Sequence, residues 1–355
     1  MILRVSLLAI PATFLAYWFA GDNTTLLFFC SMIAMVPASL YIEKSTDSLA
    51  TYLGQSAGGL VNATFGNLPE LFIGVATLRL ALQDFLKAQI VGGIIVNLLL
   101  VLGVAMLFGG LRHHMQAFST VSARSYSSLM LLAIVALLFP SAYAAGSLQA
   151  QLDTRRLVIM SVCVALVLLV TYVLYLIFSL RTHQDVMDTP EEAQAVDDAD
   201  PRWSLPVAIA ALLASSLCAV WLSDVLVDSV TPAAAALGLS QVFMGIILMG
   251  TIGNVSGLVT AIKAARKDRM DLAFSVCVGS SVQQALFVAP VLMLLSLVTG
   301  KAPMDLAFKP PSAVSTLLCV VLMAVLISDG QSHWLKGVQL LALFGILTTV
   351  IVVLT

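Results

Sequence analysis

Charged residues are scarce in this chain: Asp, Glu, Lys and Arg make up 10% of its 355 residues, and hydrophobic residues make up 60%. A soluble globular domain carries about 25% charged residues, so this composition excludes that class. The sequence has no basic stripe, so no nucleic-acid partner is expected, and the net charge of −2 is not informative on this point. The sequence therefore predicts an all-α polytopic protein of the lipid bilayer.

The motifs of common enzymes and cofactor sites are also missing. The five cysteines stand singly with no C-x-x-C pair, which argues against a disulfide framework or a thiolate metal site. The four histidines are scattered, and no Walker loop, H-E-x-x-H or nucleophile elbow occurs. No cofactor is expected, apart from a transported cation.

Windows of about 20 apolar residues predict about eleven transmembrane helices. A signal peptide is the alternative for the first, because Arg4 precedes its apolar run, but the next span follows almost at once and favours an uncleaved helix. The predicted spans run roughly over 4–20, 25–43, 55–80, 86–110, 125–147, 155–180, 203–226, 238–266, 268–298, 310–329 and 334–354.

A polar linker at Arg181–Arg202 carries seven acids and divides the chain. We interpret it either as a solvated spacer or as a patch that concentrates cations near the cytoplasmic mouth. The predicted order is a first helix (1–22), a five-helix repeat (23–180), the linker (181–202) and a second five-helix repeat (203–355). Because five is odd, the repeats should be inverted.

The distribution of Lys and Arg predicts the orientation of these spans. With the N-terminus in the cytoplasm, eleven Lys and Arg residues fall on the cytoplasmic side and six on the other. The chain is therefore predicted to be N-in. A bacterial inner membrane fits its single short linker better than a vacuolar membrane, which remains the alternative.

One polar motif occurs twice within these apolar helices. It reads GNLPEL at Gly66–Leu71 and GNVSGL at Gly253–Leu258, 187 positions further on. A glycine-bearing polar motif in both halves of a membrane protein points to a transport site between them. The copies differ at one position, where Glu70 in the first corresponds to Gly257 in the second.

Glu70 is the main candidate for an ion and proton site and for a metal ligand. A carboxyl group at membrane depth costs several kcal/mol to ionise and is by default a functional hypothesis. A proton and a metal ion would compete for it, since either one neutralises its charge. The alternative is a protonated glutamate bonded to a backbone carbonyl. Further ligand candidates are Asn67, Asn254, Ser280 and Gln283, with Asn97 and Gln284 as secondary ones and Asp47 and Asp224 for the access paths.

At these residues the chain resembles the calcium:proton antiporters of the calcium/cation antiporter superfamily. GGLVNATFGNLPELFIG at Gly58–Gly74 and NLLLVLG at Asn97–Gly103 are similar to the first repeat of that family. LGLSQVFMGIILMGTIGN at Leu237–Asn254 and RMDLAFSVCVGSSVQQALFVAPVL at Arg269–Leu292 are similar to its second repeat. The resemblance implies an antiporter fold and calcium and protons as the exchanged ions, and its matching site residues are Glu70, Asn67, Asn254, Ser280 and Gln283.

The resemblance is broken where the family has a second glutamate and a histidine, because this chain has Gly257 and Leu258 there. Gly93 and Val96 likewise replace the family's usual serines. Calcium prefers 6–8 oxygens, usually including more than one carboxylate. With Glu70 alone, a bound calcium ion would keep an uncompensated charge, whereas a monovalent cation would be neutralised. Asp47 or Asp224 could supply a second charge.

Three hypotheses remain from the sequence. The first is a cation:proton antiporter with Glu70 as the shared site. The second is a non-transporting relative with a structural or regulatory role. The third is a membrane-embedded enzyme that uses Glu70 as a buried general acid on a lipophilic substrate.

Overall fold

The computed structural model describes residues 8–53, 55–146, 153–183, 203–299 and 302–354, so residues 184–202 of the predicted acidic linker lie outside the described part. The apolar runs form helices, as expected where backbone groups must be bonded within the segment. We label them, in chain order, α1 Ala9–Phe19, α2 Thr24–Leu53, α3 Gln55–Phe65, α4 Leu68–Arg79, α5 Gln83–Arg112, α6 Thr120–Gly146, α7 Thr154–Thr182, α8 Leu205–Leu237, α9 Gln241–Gly253, α10 Val255–Arg266, α11 Met270–Thr299, α12 Pro310–Ile327 and α13 Trp334–Leu354.

The predicted count of eleven spans is not confirmed. Within the described residues, eight helices are long and apolar enough to cross a membrane, and α9 with α10, bent by 51° at their junction, would make a ninth. Of the first predicted span, the described residues 8–20 contain the short α1, and the third span is divided into α3 and α4. An 11-residue helix such as α3 covers about 16 Å, roughly half of the hydrocarbon thickness.

The two halves repeat the same local backbone at the duplicated motif. Asn67 lies between α3 and α4 with φ −99° and ψ 11°, and Asn254 lies between α9 and α10 with φ −104° and ψ 13°. Ala81 and Asp268, also 187 positions apart, both have positive φ, at 59° and 62°. The duplication seen in the sequence is therefore a duplication of structure, while the inverted orientation of the repeats stays a prediction.

Close helix packing brings parts of both halves together. A Cβ at Gly92 of α5 would collide with the backbone of Ile246 in α9, and one at Gly250 would lie 2.7 Å from the Gly92 carbonyl carbon. Small residues of this kind let membrane helices approach through their backbones. On the other side of α9, Met244 and Met249 belong to a core that α2 and α8 also form. The segment Gly250–Asn254 is thus held between α2 and α5.

Two short strands tie loops of the two halves together. β1 (Gln116–Ala117) pairs antiparallel with β2 (Gln331–Ser332). β1 follows α5 and β2 precedes α13, so this pairing fixes the end of the molecule at which those helices meet.

Candidate ion-binding site

Glu70 occupies the first turn of α4, where the helix restarts after the break. Pro69 precedes it at a position that needs no backbone donor. The backbone amide of Glu70 donates to its own carboxyl group. The second carboxyl oxygen, Oε2, is buried and finds no hydrogen-bond partner among the described residues. A buried carboxyl oxygen without a donor is ready to receive a proton or a cation.

The cavity around Glu70 is built by both halves of the chain. Glu70 therefore lies in the interior, where first-half and second-half helices meet. Its lining residues come from α2, α4, α5, α9 and α11: Met35, Ser39, Pro69, Glu70, Ile73, Gln89, Gly93, Met249, Gly250, Ile252, Gly253, Asn254 and Gln284.

The two motif asparagines make the same local bond. The Asn67 side-chain amide donates to the Ala63 carbonyl at 3.1 Å, and that of Asn254 donates to the Gly250 carbonyl at 2.7 Å. Each bond supplies a donor to a carbonyl in the turn before the helix break, and the Ala63 carbonyl also accepts from the Tyr172 hydroxyl at 3.3 Å. Asn67 also donates to Gln283 Oε1 of α11 at 2.7 Å, which links the first half to the second beside Glu70.

Two buried glutamines add further oxygens to the cavity. Gln89 of α5 is 8% exposed and Gln284 of α11 is 5% exposed. Within the described residues, neither Oε1 atom has a hydrogen-bond donor. Gly93 makes room for Gln284, because a Cβ there would collide with its side-chain amide. Glu70, Gln89 and Gln284 thus offer unpartnered oxygens to one space.

The remaining candidates lie further from this space. Ser280 is half-buried and its hydroxyl donates to the Val276 carbonyl at 2.7 Å, away from the lining. Asn97 is buried in the π-helical turn Val96–Val101, and its Nδ2 has no acceptor among the described residues. Asp47 and Asp224 are exposed. The structure therefore brings together Glu70, Asn254 and Gln284, with Asn67 and Gln283 bonded beside them.

A resident metal centre has no support in the described ranges. No group of three or more His, Cys, Asp and Glu side chains converges there. An ion at Glu70 would need amide, hydroxyl and backbone oxygens to complete its coordination. Hard cations such as calcium accept such mixed oxygen ligands.

Comparison with known proteins identifies this architecture. The model for the family described as "Sodium/calcium exchanger protein" matches residues 23–181 and 207–353. This chain belongs to that family. It is 39% identical to the "Ca(2+)/H(+) antiporter" of Synechocystis sp. over 97% of the chain and 95% of the relative. It is 34% identical to the "Ca(2+)/H(+) antiporter ChaA" of Bacillus subtilis, with 91% of each chain covered.

Among solved structures, the fold is similar to that described as "Structure of native YfkE". The TM-score is 0.84, the identity is 28%, and 99% of each chain is covered. The expected resemblance to calcium/cation antiporters and the polytopic helical fold are thus confirmed.

Sequence reasoning missed one polar residue that lines the cavity and one acid close to it. Gln89 is a lone amide in an apolar run, and the position 187 residues further on is Val276, so the repeat does not mark it. Glu43 stood at the end of the predicted span 25–43, but α2 continues to Leu53 and keeps it within the helix. Its carboxyl group accepts a hydrogen bond from the Ser256 hydroxyl in α10. The signal that could have found Glu43 is its spacing of four residues from Asp47.

Proposed function

We propose that this protein is a calcium:proton antiporter in which Glu70 alternately binds the proton and the cation. The observation that carries the proposal is the buried, unpartnered Oε2 of Glu70 at the meeting point of the two halves. The names of the two bacterial relatives support calcium and protons as the exchanged ions, and their source supports a bacterial inner membrane. The distribution of Lys and Arg supports an N-terminus in the cytoplasm.

The exchange follows from the desolvation of one carboxyl group. A charged carboxylate at membrane depth is costly, so Glu70 is stable when it carries either a proton or a cation. Both ligands use the same oxygen, and binding of one therefore displaces the other. The unpartnered oxygens of Gln89 and Gln284 favour a hard cation as the second ligand.

Alternating access also has a physical basis in the broken helices. α4 and α10 each begin at an asparagine after a break, so each can tilt as a short rigid rod without losing bonds within the helix. The bond from Asn67 to Gln283 joins the halves next to Glu70. We expect this bond to change length between the inward-facing and outward-facing states.

The test is calcium flux in liposomes that contain only this protein and a calcium-sensitive dye. An acidic interior should drive calcium uptake by the wild type, and collapse of the pH gradient with an ionophore should stop it. Glu70→Gln should abolish uptake, while Asp84→Asn, which removes an exposed carboxylate paired with Lys309, should retain it.

The same liposomes can contradict the proposal in two ways. Proton release driven by sodium or potassium but not by calcium would mean a monovalent exchanger. If a well-folded preparation moves none of the three cations, two hypotheses remain: a non-transporting relative and a membrane-embedded enzyme.

A further inference from the structure

The second copy of the motif contributes no carboxylate to the candidate site. Gly257 occupies the position that corresponds to Glu70, and the atom nearest to an added Cβ is Val276 Cγ1, at 3.7 Å. The space for a side chain is therefore present but unfilled from α10. A divalent cation on Glu70 alone would keep a positive charge in a buried place, which is costly unless it is compensated.

A second carboxyl group reaches this region from another helix. Met35 and Ser39 of α2 line the cavity, and Glu43 follows Ser39 by four residues. Residues four apart lie on the same helix face, so Glu43 is one turn beyond the cavity on its lining side. The hydroxyl of Ser256, the neighbour of Gly257, donates to the Glu43 carboxyl group. Glu43 is also close enough to Glu70 for the two charges to interact.

Unpartnered oxygens in the cavity point independently to a cation. Gln89 and Gln284 are more than nine-tenths buried and line the same space as Glu70. No described residue donates to Oε1 of either glutamine or to Oε2 of Glu70. Buried acceptors are normally satisfied, and three of them around one space form a set of ligands for a hard cation.

We propose that Glu43 supplies the second carboxylate of this site, so that a divalent cation is bound between Glu70 and Glu43 without a carboxylate from α10. This inference rests on the proposed function. It identifies the carboxylate that, together with Glu70, neutralises a bound divalent cation. With two carboxylates the bound ion is neutralised, and a proton on each carboxyl group neutralises the empty state.

Other acids serve this role less well. Asp47 lies a further turn along α2 and is exposed, and Asp224 on α8 is exposed as well. Ser256 holds the Glu43 carboxyl group next to Gly257, and Glu43 interacts with Glu70. Asp47 interacts with Glu43 instead, and Asp224 with Asp228. Asp47, four residues beyond Glu43 on the same face, is placed to pass cations toward the site.

The experiment measures calcium affinity by titration calorimetry on the purified protein in lipid nanodiscs, together with the KM for calcium flux. Glu43→Gln should weaken calcium binding at least about tenfold, since charge count tunes calcium affinity. The double variant Glu43→Gln with Gly257→Glu moves the carboxylate to α10 and should restore affinity to within about threefold of the wild type. Asp228→Asn, an exposed acid on α8, is the matched control and should change nothing.

Two outcomes would overturn the inference. One is calcium affinity of Glu43→Gln within about twofold of the wild type. The other is a loss that Gly257→Glu does not rescue, which would make Glu43 a structural residue. If Glu43→Gln is not monodisperse, Glu43→Asp keeps the charge and should bind calcium more tightly than Glu43→Ala. Failure of the proposed function is distinct, because the wild type itself would then move no calcium.

Discussion

The two copies of the motif share a backbone but not a chemistry. Asn67 and Asn254 have nearly the same dihedral angles, and each side chain bonds the carbonyl four residues before it. Three positions later, the first copy has a buried carboxyl group and the second has Gly257. The comparison teaches that the helix break depends on the asparagine and its carbonyl bond, whereas the charge at the site is an independent property of each copy.

The asymmetry extends to the contacts around each break. Asn67 reaches across to Gln283, while the side-chain amide of Asn254 bonds the Gly250 carbonyl within its own segment. The first copy is therefore tied to the other half, and the second has room for a Cβ at Gly257, 3.7 Å from Val276. Three predictions test this difference, and a fourth gives a reference outside both motifs.

Glu70→Gln should give the largest effect, a loss of calcium flux of at least about 100-fold, because the amide can bind neither a proton nor a charge-compensated cation. The fold should persist, since the two side chains have nearly the same shape. Flux in liposomes and thermal unfolding in detergent would be measured on the same preparation. If Glu70→Gln loses flux because it no longer folds, this result would contradict the assignment of Glu70 as an ion ligand.

Gly93→Ala should destabilise the protein by about 1–3 kcal/mol, because the added methyl group overpacks the buried amide of Gln284. Gly257→Ala is the matched control, since its Cβ meets Val276 only at an ordinary contact distance of 3.7 Å. It should be neutral or slightly stabilising. The midpoints of thermal unfolding would show this, and equal midpoints for the two variants would argue that the cavity is not packed as described.

Asn67→Ala should cost more stability than Asn254→Ala, by about 1 kcal/mol, because it removes two hydrogen bonds and leaves Gln283 Oε1 without its donor. The Ala63 carbonyl keeps the Tyr172 hydroxyl as a donor, at 3.3 Å. Chemical or thermal unfolding of the two variants in the same detergent would measure the difference. Equal losses would show that the contact between the halves contributes nothing beyond the two matching carbonyl bonds.

The smallest effect on stability is expected from a substitution of Asp329, which lies outside both motifs and serves as a reference. The Lys336 ammonium donates to this carboxyl group, at 2.7 Å from Oδ2, and holds its pKa below the usual 3.8. A lowered folded-state pKa contributes stability above pH 4, and this stability is lost as the pH falls through the folded-state value. Because Asp329 is about half exposed, the contribution should stay below about 1 kcal/mol.

The measurement for this reference is the gap in unfolding midpoint between wild type and Asp329→Asn. The gap should be present at neutral pH and should shrink as the pH falls below 3.8, with calcium flux at neutral pH unchanged. A persistent gap at low pH would mean that the ion pair is not its source.

Much of the fold was predictable because the signals are local. Apolar runs located the long helices, and the repeated G-N pairs at Gly66 and Gly253 located both helix breaks. The count of about eleven spans is not confirmed, because hydropathy cannot tell a continuous span from two short helices joined at a break. Glu43 was taken as the end of a span because it is charged, although burial against α10 lets the helix continue to Leu53.

The sequence by itself determined that this is a membrane protein with two similar halves, and that Glu70 is a carboxyl group with no equivalent in the second half. These conclusions need only the amino-acid composition, the lengths of the apolar runs and the spacing of the repeated motif along the chain. Only the tertiary structure decided which other polar side chains share the space of Glu70. Gln89, Gln284 and Ser39 come from α5, α11 and α2, and their convergence depends on helix contacts between residues far apart in the chain, such as Gly92 on Ile246. No pattern of neighbouring residues records such contacts, because packing is set by shape complementarity between helices.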